Sequence, residues 1–123
     1  MDIAFPSFIG YFRSMNQDAA LAALAALAHP TRLDAFRLLV RHEPDGLATG
    51  ALVEASGLSQ STFSTHLAVL AKAGLAQAEK RGRNQIQRAD LDTLRALMTF
   101  LAKDCCEGRA ELCAPLVADL TCC

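Results

Sequence analysis

The five cysteines of this 123-residue sequence all lie within its last nineteen residues. Thiolates are soft ligands, and without nearby histidines they favour thiophilic ions over magnesium, calcium or a histidine-rich zinc site. In a chain without secretory features, such a cluster indicates metal or redox chemistry rather than a disulfide scaffold. The five are Cys105, Cys106, Cys113, Cys122 and Cys123.

Three of these cysteines could converge on one ion. Cys106 and Cys113 are seven residues apart, which is two helical turns and places them on one face if the helix continues. Cys105 is adjacent to Cys106, and Gly108 would let the chain bend so that all three sulfurs meet. Three thiolates suit a trigonal-pyramidal As(III) or Sb(III) centre, because the lone pair of the ion occupies the fourth direction.

Other uses of the cysteines remain open. Either adjacent pair, Cys105-Cys106 or Cys122-Cys123, could hold methylarsenite through two thiolates. Cys105 and Cys106 could instead be small buried hydrophobic residues. The thiols could also form a redox switch, in which a disulfide loosens DNA binding. Cys122 and Cys123 are the less expected participants, because chain ends are often disordered.

The elements that must position such a sensor are organised around residues 56–75. Gly57 interrupts a helical pattern, and Ser59 can cap a new helix whose Phe63, Leu67 and Leu70 share one face. We call this helix, which follows Ser59, the recognition helix. Its opposite face carries uncharged polar residues, whereas a solvated surface helix usually carries Glu and Lys. A short helix, a glycine-containing turn and a second helix with a polar edge predict a DNA-binding helix-turn-helix. The polar residues expected to contact DNA are Gln60, Ser61, Thr62, Ser64, Thr65 and His66.

Positive charge is concentrated in the same part of the chain. The net charge is −1, yet residues 60–89 hold five basic residues and one acidic residue, between two acidic segments. Residues 75–80 and 85–89 are predicted to form a hairpin wing, whose tip can follow the phosphate backbone or enter the minor groove. We therefore expect DNA contacts from Lys80, Arg81 and Arg83, and an affinity that depends on salt.

Further helices are predicted around this motif. Asn16 can cap a helix at 17–28, Pro30 can start one at 30–42, and Asp90 can cap the last long helix. Residues 50–55 are expected to form the first helix of the helix-turn-helix, with Leu52 and Val53 inward. Apolar stripes are predicted at Leu21, Leu24 and Leu27, at Leu91, Leu94, Leu97, Met98 and Leu101, and, facing inward, at Leu33, Phe36, Leu39 and Val40.

Three stretches resemble the ArsR/SmtB family of small homodimeric winged-helix repressors, which release operator DNA when they bind a toxic metal or metalloid. They are LAHPTRLDAFRLL (27–39), LSQSTFSTHLAVLAKAGL (58–75) and the Lys-Arg-Gly-Arg run at 80–83. The resemblance covers roughly residues 17–103. It implies a mainly α fold with a small β-hairpin wing, a winged helix-turn-helix, and a homodimer formed through the N- and C-terminal helices.

The chain departs from the family at its best-known metal sites. Many relatives carry a Cys-x-Cys pair at the helix corresponding to Leu47–Val53, where this chain has no cysteine. Others bind zinc through histidines on the last helix; Asp90 and Asp92 remain here, but all three histidines lie upstream, so we reject that site. Some arsenic-responsive members place an adjacent cysteine pair and a third cysteine after the last helix, which Cys105, Cys106 and Cys113 match.

Taken together, the sequence predicts one winged-helix domain at 1–123, with a dimerisation arm at 1–15 and a cysteine-rich sensor segment at 104–123. The four aromatic residues of the arm could pack on the partner subunit or on their own core.

We expect a cytoplasmic, non-enzymatic repressor of arsenic-resistance genes, because there is no basic leader, no apolar run of the ~18 residues that span a bilayer and no nucleophile–base pair. No catalytic cofactor is expected; the inducer is As(III), with Sb(III) or methylarsenite as alternatives. Two other functions stay open: a thiol-based redox-sensing repressor, and a metalloid-binding protein that does not bind DNA.

Overall fold

The computed structural model describes residues 15–103 and 110–120, which form six helices and a three-stranded antiparallel sheet. The order along the chain is that of a winged helix-turn-helix, as predicted. The elements are α1 (Gln17–Leu27), α2 (Pro30–Arg41), β1 (Leu47–Ala48), α3 (Thr49–Ser56), α4 (Gln60–Lys72), β2 (Ala76–Arg81), β3 (Asn84–Ala89), α5 (Leu91–Lys103) and α6 (Ala110–Leu120).

Side chains just before the helices fix where several of them begin. The predicted caps are confirmed: Asn16 accepts from the Ala19 N–H at 2.8 Å, Ser59 from the Thr62 N–H at 3.2 Å and Asp90 from the Thr93 N–H at 3.1 Å. His29 caps α2 by accepting from the Thr31 N–H through Nδ1 at 3.1 Å. Each bond satisfies a backbone donor that has no partner within its helix.

The turn between α3 and α4 sets the direction of the recognition helix. Gly57 ends α3 with φ of 72°, a left-handed conformation that favours glycine. The Ser56 hydroxyl donates to the Val53 carbonyl at 2.7 Å and accepts from the Leu58 N–H at 3.1 Å. The chain therefore leaves α3 in one defined direction and enters α4 three residues later.

The wing belongs to a sheet with the strand order β1-β3-β2. The short strand β1 was not predicted; it pairs Leu47 with Gln87 and Ala48 with Ile86. Gly46 precedes it with φ of 76°, and a Cβ there would lie 2.6 Å from the Gln87 carbonyl oxygen, so only glycine fits. Pairing of β2 with β3 runs out to Arg81 and Asn84. The wing tip is thus Gly82 and Arg83 alone, because residues 81 and 84, which lie between the predicted strands at 75–80 and 85–89, belong to β2 and β3.

The core lies where α2, α3 and α4 meet the sheet. Its largest fully buried side chains are Phe63, Leu39, Leu52, Leu70 and Leu75. Helix α1 contributes its alanines, Ala20, Ala23 and Ala26, which bring it close to α2 and α4. The predicted inward position of Leu33 is wrong, because this side chain is 41% exposed. Two of the three leucines in the predicted stripe of α1 also face away from the core, with Leu21 at 55% and Leu24 at 39% exposure, whereas Leu27 packs against it.

Helix α5 is buried in the middle of its apolar stripe and exposed toward both ends. Leu97 is 3% exposed, whereas Leu91 is 38% and Leu101 is 46% exposed. Predicted features of the arm at 1–14 lie outside the described residues, as do Cys105, Cys106, Cys122 and Cys123. In the described ranges, none of the helices has the length and apolar character that crossing a membrane requires.

Candidate nucleic-acid interface

The recognition helix α4 has one buried side and one polar side. Phe63 and Leu70 are almost completely buried. On the other side the structure brings together five of the six polar residues that the sequence singled out, and all five are exposed: Gln60, Ser61, Thr62, Ser64 and Thr65. The burial of one side therefore leaves the other available to a groove of DNA.

Local hydrogen bonds organise part of this polar surface. The Ser59 hydroxyl donates to the Thr62 hydroxyl at 3.0 Å, and the Thr65 hydroxyl donates to the Ser61 carbonyl at 3.2 Å. Within the described residues, the side chains of Gln60 and Ser64 have no hydrogen-bond partner. They lie in the first turns of α4, whose N-terminal end carries the positive end of the helix dipole and favours phosphates.

His66, the sixth predicted contact residue, occupies a different environment. Its ring is half-buried, its Nδ1 lies 3.2 Å from Nη1 of Arg32, and its centroid lies 4.4 Å from that of His29. Partial burial, followed by the proximity of His29 and Arg32, lowers the pKa of His66 below its ordinary 6.5. These surroundings therefore favour the neutral form of the His66 ring.

The basic residues of the wing are exposed but are not equally available. Arg81 donates through Nε to Glu79 at 2.7 Å and through Nη1 to the Asp45 carbonyl at 3.1 Å. Lys80 and Arg83 have no ion pair or hydrogen-bond partner within residues 15–103 and 110–120. Lys80 and Arg83 are thus free to contact phosphates directly. The guanidinium of Arg81 would contact a phosphate only while sharing its N–H groups with Glu79 and the Asp45 carbonyl.

Arg88, which contributes to the positive charge counted in the sequence, braces the wing. It donates to Glu43 through Nη2 at 2.7 Å and through Nε at 3.3 Å, and to Glu79 through Nη1 at 3.5 Å. Glu43 also accepts from the Ala89 N–H at 3.1 Å, and its side chain is only 9% exposed. The bond to Glu43 is the main cause that raises the pKa of Arg88, and the bond from Arg81 is the main cause that lowers the pKa of Glu79.

Sequence reasoning missed Glu43 as a functional support because no local signal marks it. It lies 45 residues from Arg88, in the connection between α2 and β1. Arg32 has a structural role in the chain, because it donates to the Ala26 carbonyl at 2.6 Å and to the Ala25 carbonyl at 3.4 Å, at the end of α1.

The predicted cysteine site lies largely outside the described residues. Of its members only Cys113 falls within a described element, in α6. Asp90 and Asp92 have structural partners, since one caps α5 and the other pairs with Arg95 at 2.8 Å. Among the residues that the structure describes, no group of three or more His, Cys, Asp or Glu side chains is placed to hold a metal ion.

Comparisons with known proteins agree with this architecture. A helix-turn-helix domain model matches residues 27–76. The nodulation protein NolR of Rhizobium meliloti is 33% identical over 89 residues, which are 71% of this chain and 70% of that protein. A solved structure described as a possible transcriptional regulator for arsenical resistance is 32% identical, with a TM-score of 0.58, over 67% of this chain and 82% of that one. A homodimeric winged helix-turn-helix domain from Mycobacterium bovis, a possible ArsR-family regulator, shares the fold at 23% identity and a TM-score of 0.58, over 87% and 93% of the two chains.

Proposed function

The chain belongs to the ArsR family of winged helix-turn-helix transcriptional regulators, and from that premise we propose that it is a homodimeric repressor released from operator DNA by a trivalent arsenical. The observation that supports this inducer is the placement of all five cysteines after α5, with no cysteine in α3. The likeness to a possible regulator of arsenical resistance is consistent with it.

DNA recognition rests on the exposed polar side of α4 and on the wing. The first turns of α4 would enter the major groove, where hydroxyl and amide groups hydrogen-bond to base edges. The exposed Lys80 and Arg83 would contact phosphates on the flanking backbone. Two copies of the chain would place their recognition helices in successive major grooves of a near-palindromic operator.

A second copy of the chain would cover the apolar residues that the single chain leaves exposed. Helices α1 and α5 are in contact, and Leu21, Leu24 and Leu91 are between 38% and 55% exposed on them. Large apolar side chains exposed on neighbouring helices are typical of an interface between subunits. A dimer through α1 and α5 would also bring the segment that follows α5 close to the subunit boundary.

Arsenite would bind by ligand exchange at Cys105, Cys106 and Cys113. Three thiols replace the three hydroxyl groups of As(OH)₃, three As–S bonds form, and three water molecules leave without any change of oxidation state. Binding beside the dimer interface would favour an arrangement in which the two recognition helices no longer fit successive grooves. Since such coupling is reciprocal, operator DNA must weaken arsenite binding by the same factor.

The test is operator binding followed by fluorescence anisotropy, with reduced protein titrated with arsenite, methylarsenite or Zn²⁺. We expect arsenite to release the wild-type protein and to fail with Cys113→Ser, because that variant has lost the third thiolate. A matched control replaces both Cys122 and Cys123 by Ser and should respond like the wild type.

The other outcomes separate the remaining functions. Release by methylarsenite alone, unchanged in Cys113→Ser, would assign a two-thiolate organoarsenical site to Cys105-Cys106. Release only by peroxide, reversed by a thiol reductant, would favour redox sensing. Arsenite binding without any operator binding would identify a metalloid-binding protein and contradict the repressor.

A further inference from the structure

The side chain of Arg32 joins three helices at the edge of the recognition surface. Its guanidinium donates to the carbonyl oxygens of Ala25 and Ala26 at the end of α1, and it lies at the start of α2. Its Nη1 also lies 3.2 Å from Nδ1 of His66 in the middle of α4. One rigid group thus connects the helix that carries exposed leucines with the helix that faces DNA.

The contact with Arg32 determines which nitrogen of His66 carries the proton. A guanidinium has only N–H donors, so Nδ1 of His66 must be the acceptor. A neutral imidazole that accepts at Nδ1 carries its proton at Nε2. His29 is held in the same tautomer, because its Nδ1 accepts from the Thr31 N–H.

The Nε2 atom of His66 is left available to a ligand. No hydrogen-bond partner for it exists among the described residues, and none of their buried side-chain nitrogen or oxygen atoms is without a partner. Nε2 of this half-buried ring must therefore reach solvent. Its position on α4, one turn beyond Thr62, places this donor beside the polar side of the recognition helix.

We propose that Arg32 is a positioning residue for DNA recognition, which holds His66 as a neutral hydrogen-bond donor whose Nε2–H binds an acceptor on the DNA. The acceptor is a base-edge atom, such as a purine N7, or a phosphate oxygen. This inference rests on the DNA binding proposed above and adds the identity, tautomer and support of one contact. It does not depend on the inducer.

The surroundings of His66 oppose the alternative of a cationic phosphate contact. The charged and titratable groups that face its ring are Arg32 from α2 and His29 from the cap of α2, and no carboxylate pairs with it in the described part of the chain. Protonation of Nδ1 would place an N–H against an N–H of Arg32 and add a positive charge next to a positive charge. Partial burial is the main cause that lowers the pKa of His66, and the proximity of His29 and Arg32 lowers it further, which agrees with the neutral tautomer.

The first measurement is the tautomer of His66 in the free protein, from ring ¹⁵N chemical shifts across a pH titration. We expect the Nε2–H tautomer at pH 7.5 and a pKa below 6.5. As the pH falls below 6.5, the unfolded chain takes up its proton before the folded chain, so the folded state loses stability. Arg32→Gln should give a mixture of tautomers and a higher pKa. An Nδ1–H tautomer in the wild type would overturn the proposal.

Arg32→Gln could disturb α1 as well, so a second variant preserves the packing there. His29→Asn keeps a capping oxygen for α2, because Asn is a favoured N-cap residue, and removes the neighbouring ring. Its His66 pKa should rise while the Nε2–H tautomer persists, since Arg32 is intact. A tautomer that changes in His29→Asn would assign the positioning role to His29 and contradict the role given to Arg32.

Operator affinity distinguishes a DNA-contacting role of His66 from a structural role when two substitutions are compared, one that keeps a donor near Nε2 and one that keeps an acceptor near Nδ1. His66→Gln can place an N–H near the position of Nε2, whereas His66→Asn can place an acceptor near Nδ1 for Arg32 but no donor at Nε2. On a duplex selected by the wild-type protein from a random pool, we expect His66→Asn to bind about tenfold more weakly and His66→Gln within about threefold of wild type. A merely structural role predicts the reverse order and would overturn the proposal.

The acceptor is identified by modified duplexes. Each purine of the selected duplex is replaced in turn by its 7-deaza analogue. If N7 is the acceptor, one of these replacements should abolish the difference in affinity between wild type and His66→Asn. If the acceptor is a phosphate, replacing one backbone phosphate at a time by a neutral methylphosphonate should abolish the same difference in affinity at one position. Wild-type affinity in His66→Asn, with arsenite release intact, would refute this inference and leave the proposed function standing. A wild-type protein without operator affinity would refute both.

Discussion

The recognition helix and the wing both face the proposed DNA surface, but they are held in place by different forces. Phe63 and Leu70 anchor α4 in the core, where each is at most 1% exposed. The wing is held by backbone pairing between β2 and β3 and by ion pairs that Glu43 and Glu79 make with Arg88 and Arg81. The position of α4 should therefore be insensitive to salt, whereas that of the wing should not.

This difference changes how the positive charge of the segment should be counted. Five basic residues lie between positions 60 and 89, but Arg81 and Arg88 form ion pairs within the chain. The remaining cations, Lys72, Lys80 and Arg83, are exposed. Charge in this part of the chain thus serves two purposes, support of the wing and contact with phosphates.

The largest effect should come from the apolar anchor of α4. Phe63→Ala removes a side chain that is 1% exposed and should lower the free energy of unfolding by about 3–5 kcal/mol. Urea unfolding followed by circular dichroism measures this loss. Val69→Ala is the matched control on the same helix, where 36% exposure predicts a loss below ~1 kcal/mol. Similar losses in both variants would show that α4 is not anchored by Phe63.

A smaller effect is expected from the brace of the wing. Glu43→Gln removes the negative charge that receives two bonds from Arg88, and should cost about 2 kcal/mol because the carboxylate is largely buried. Operator affinity should also fall, since the wing loses its support. Asp92→Asn breaks an exposed pair with Arg95, where about 0.3 kcal/mol is expected. A stability equal to wild type in Glu43→Gln would contradict the bracing role.

The smallest effect should distinguish the two arginines near the wing tip. Arg83→Ala should reduce the magnitude of the slope of the logarithm of the operator association constant against the logarithm of the salt concentration by about 1, because one phosphate contact is lost. Arg81→Ala should reduce it by less, since Arg81 is shared with Glu79 and the Asp45 carbonyl. Anisotropy measurements at several salt concentrations give both slopes. Equal reductions in slope for the two variants would mean that the ion pair between Arg81 and Glu79 opens in the DNA complex.

Local chemistry made much of the fold predictable. The caps at Asn16, Ser59 and Asp90 and the break at Gly57 depend on residues within a few positions of each other, so sequence alone located the helix starts. The amphipathic pattern of α4 likewise identified its buried side. In α1 the same reasoning predicted a leucine stripe but not the exposure of Leu21 and Leu24, because only the packing of α1 against α2 and α4 shows that the alanines face the core.

The sequence by itself determined the helix-turn-helix, the existence of the wing, the polar residues of the recognition helix and the clustering of all five cysteines after α5. Those features follow from residue type and short-range periodicity. Only the tertiary structure decided which basic side chains are paired within the chain and which nitrogen of His66 lies against Arg32. Glu43 and Arg88 are 45 residues apart, and Arg32 and His66 are 34 apart. No local pattern encodes such pairs, because folding brings them together through the burial of side chains elsewhere in the chain.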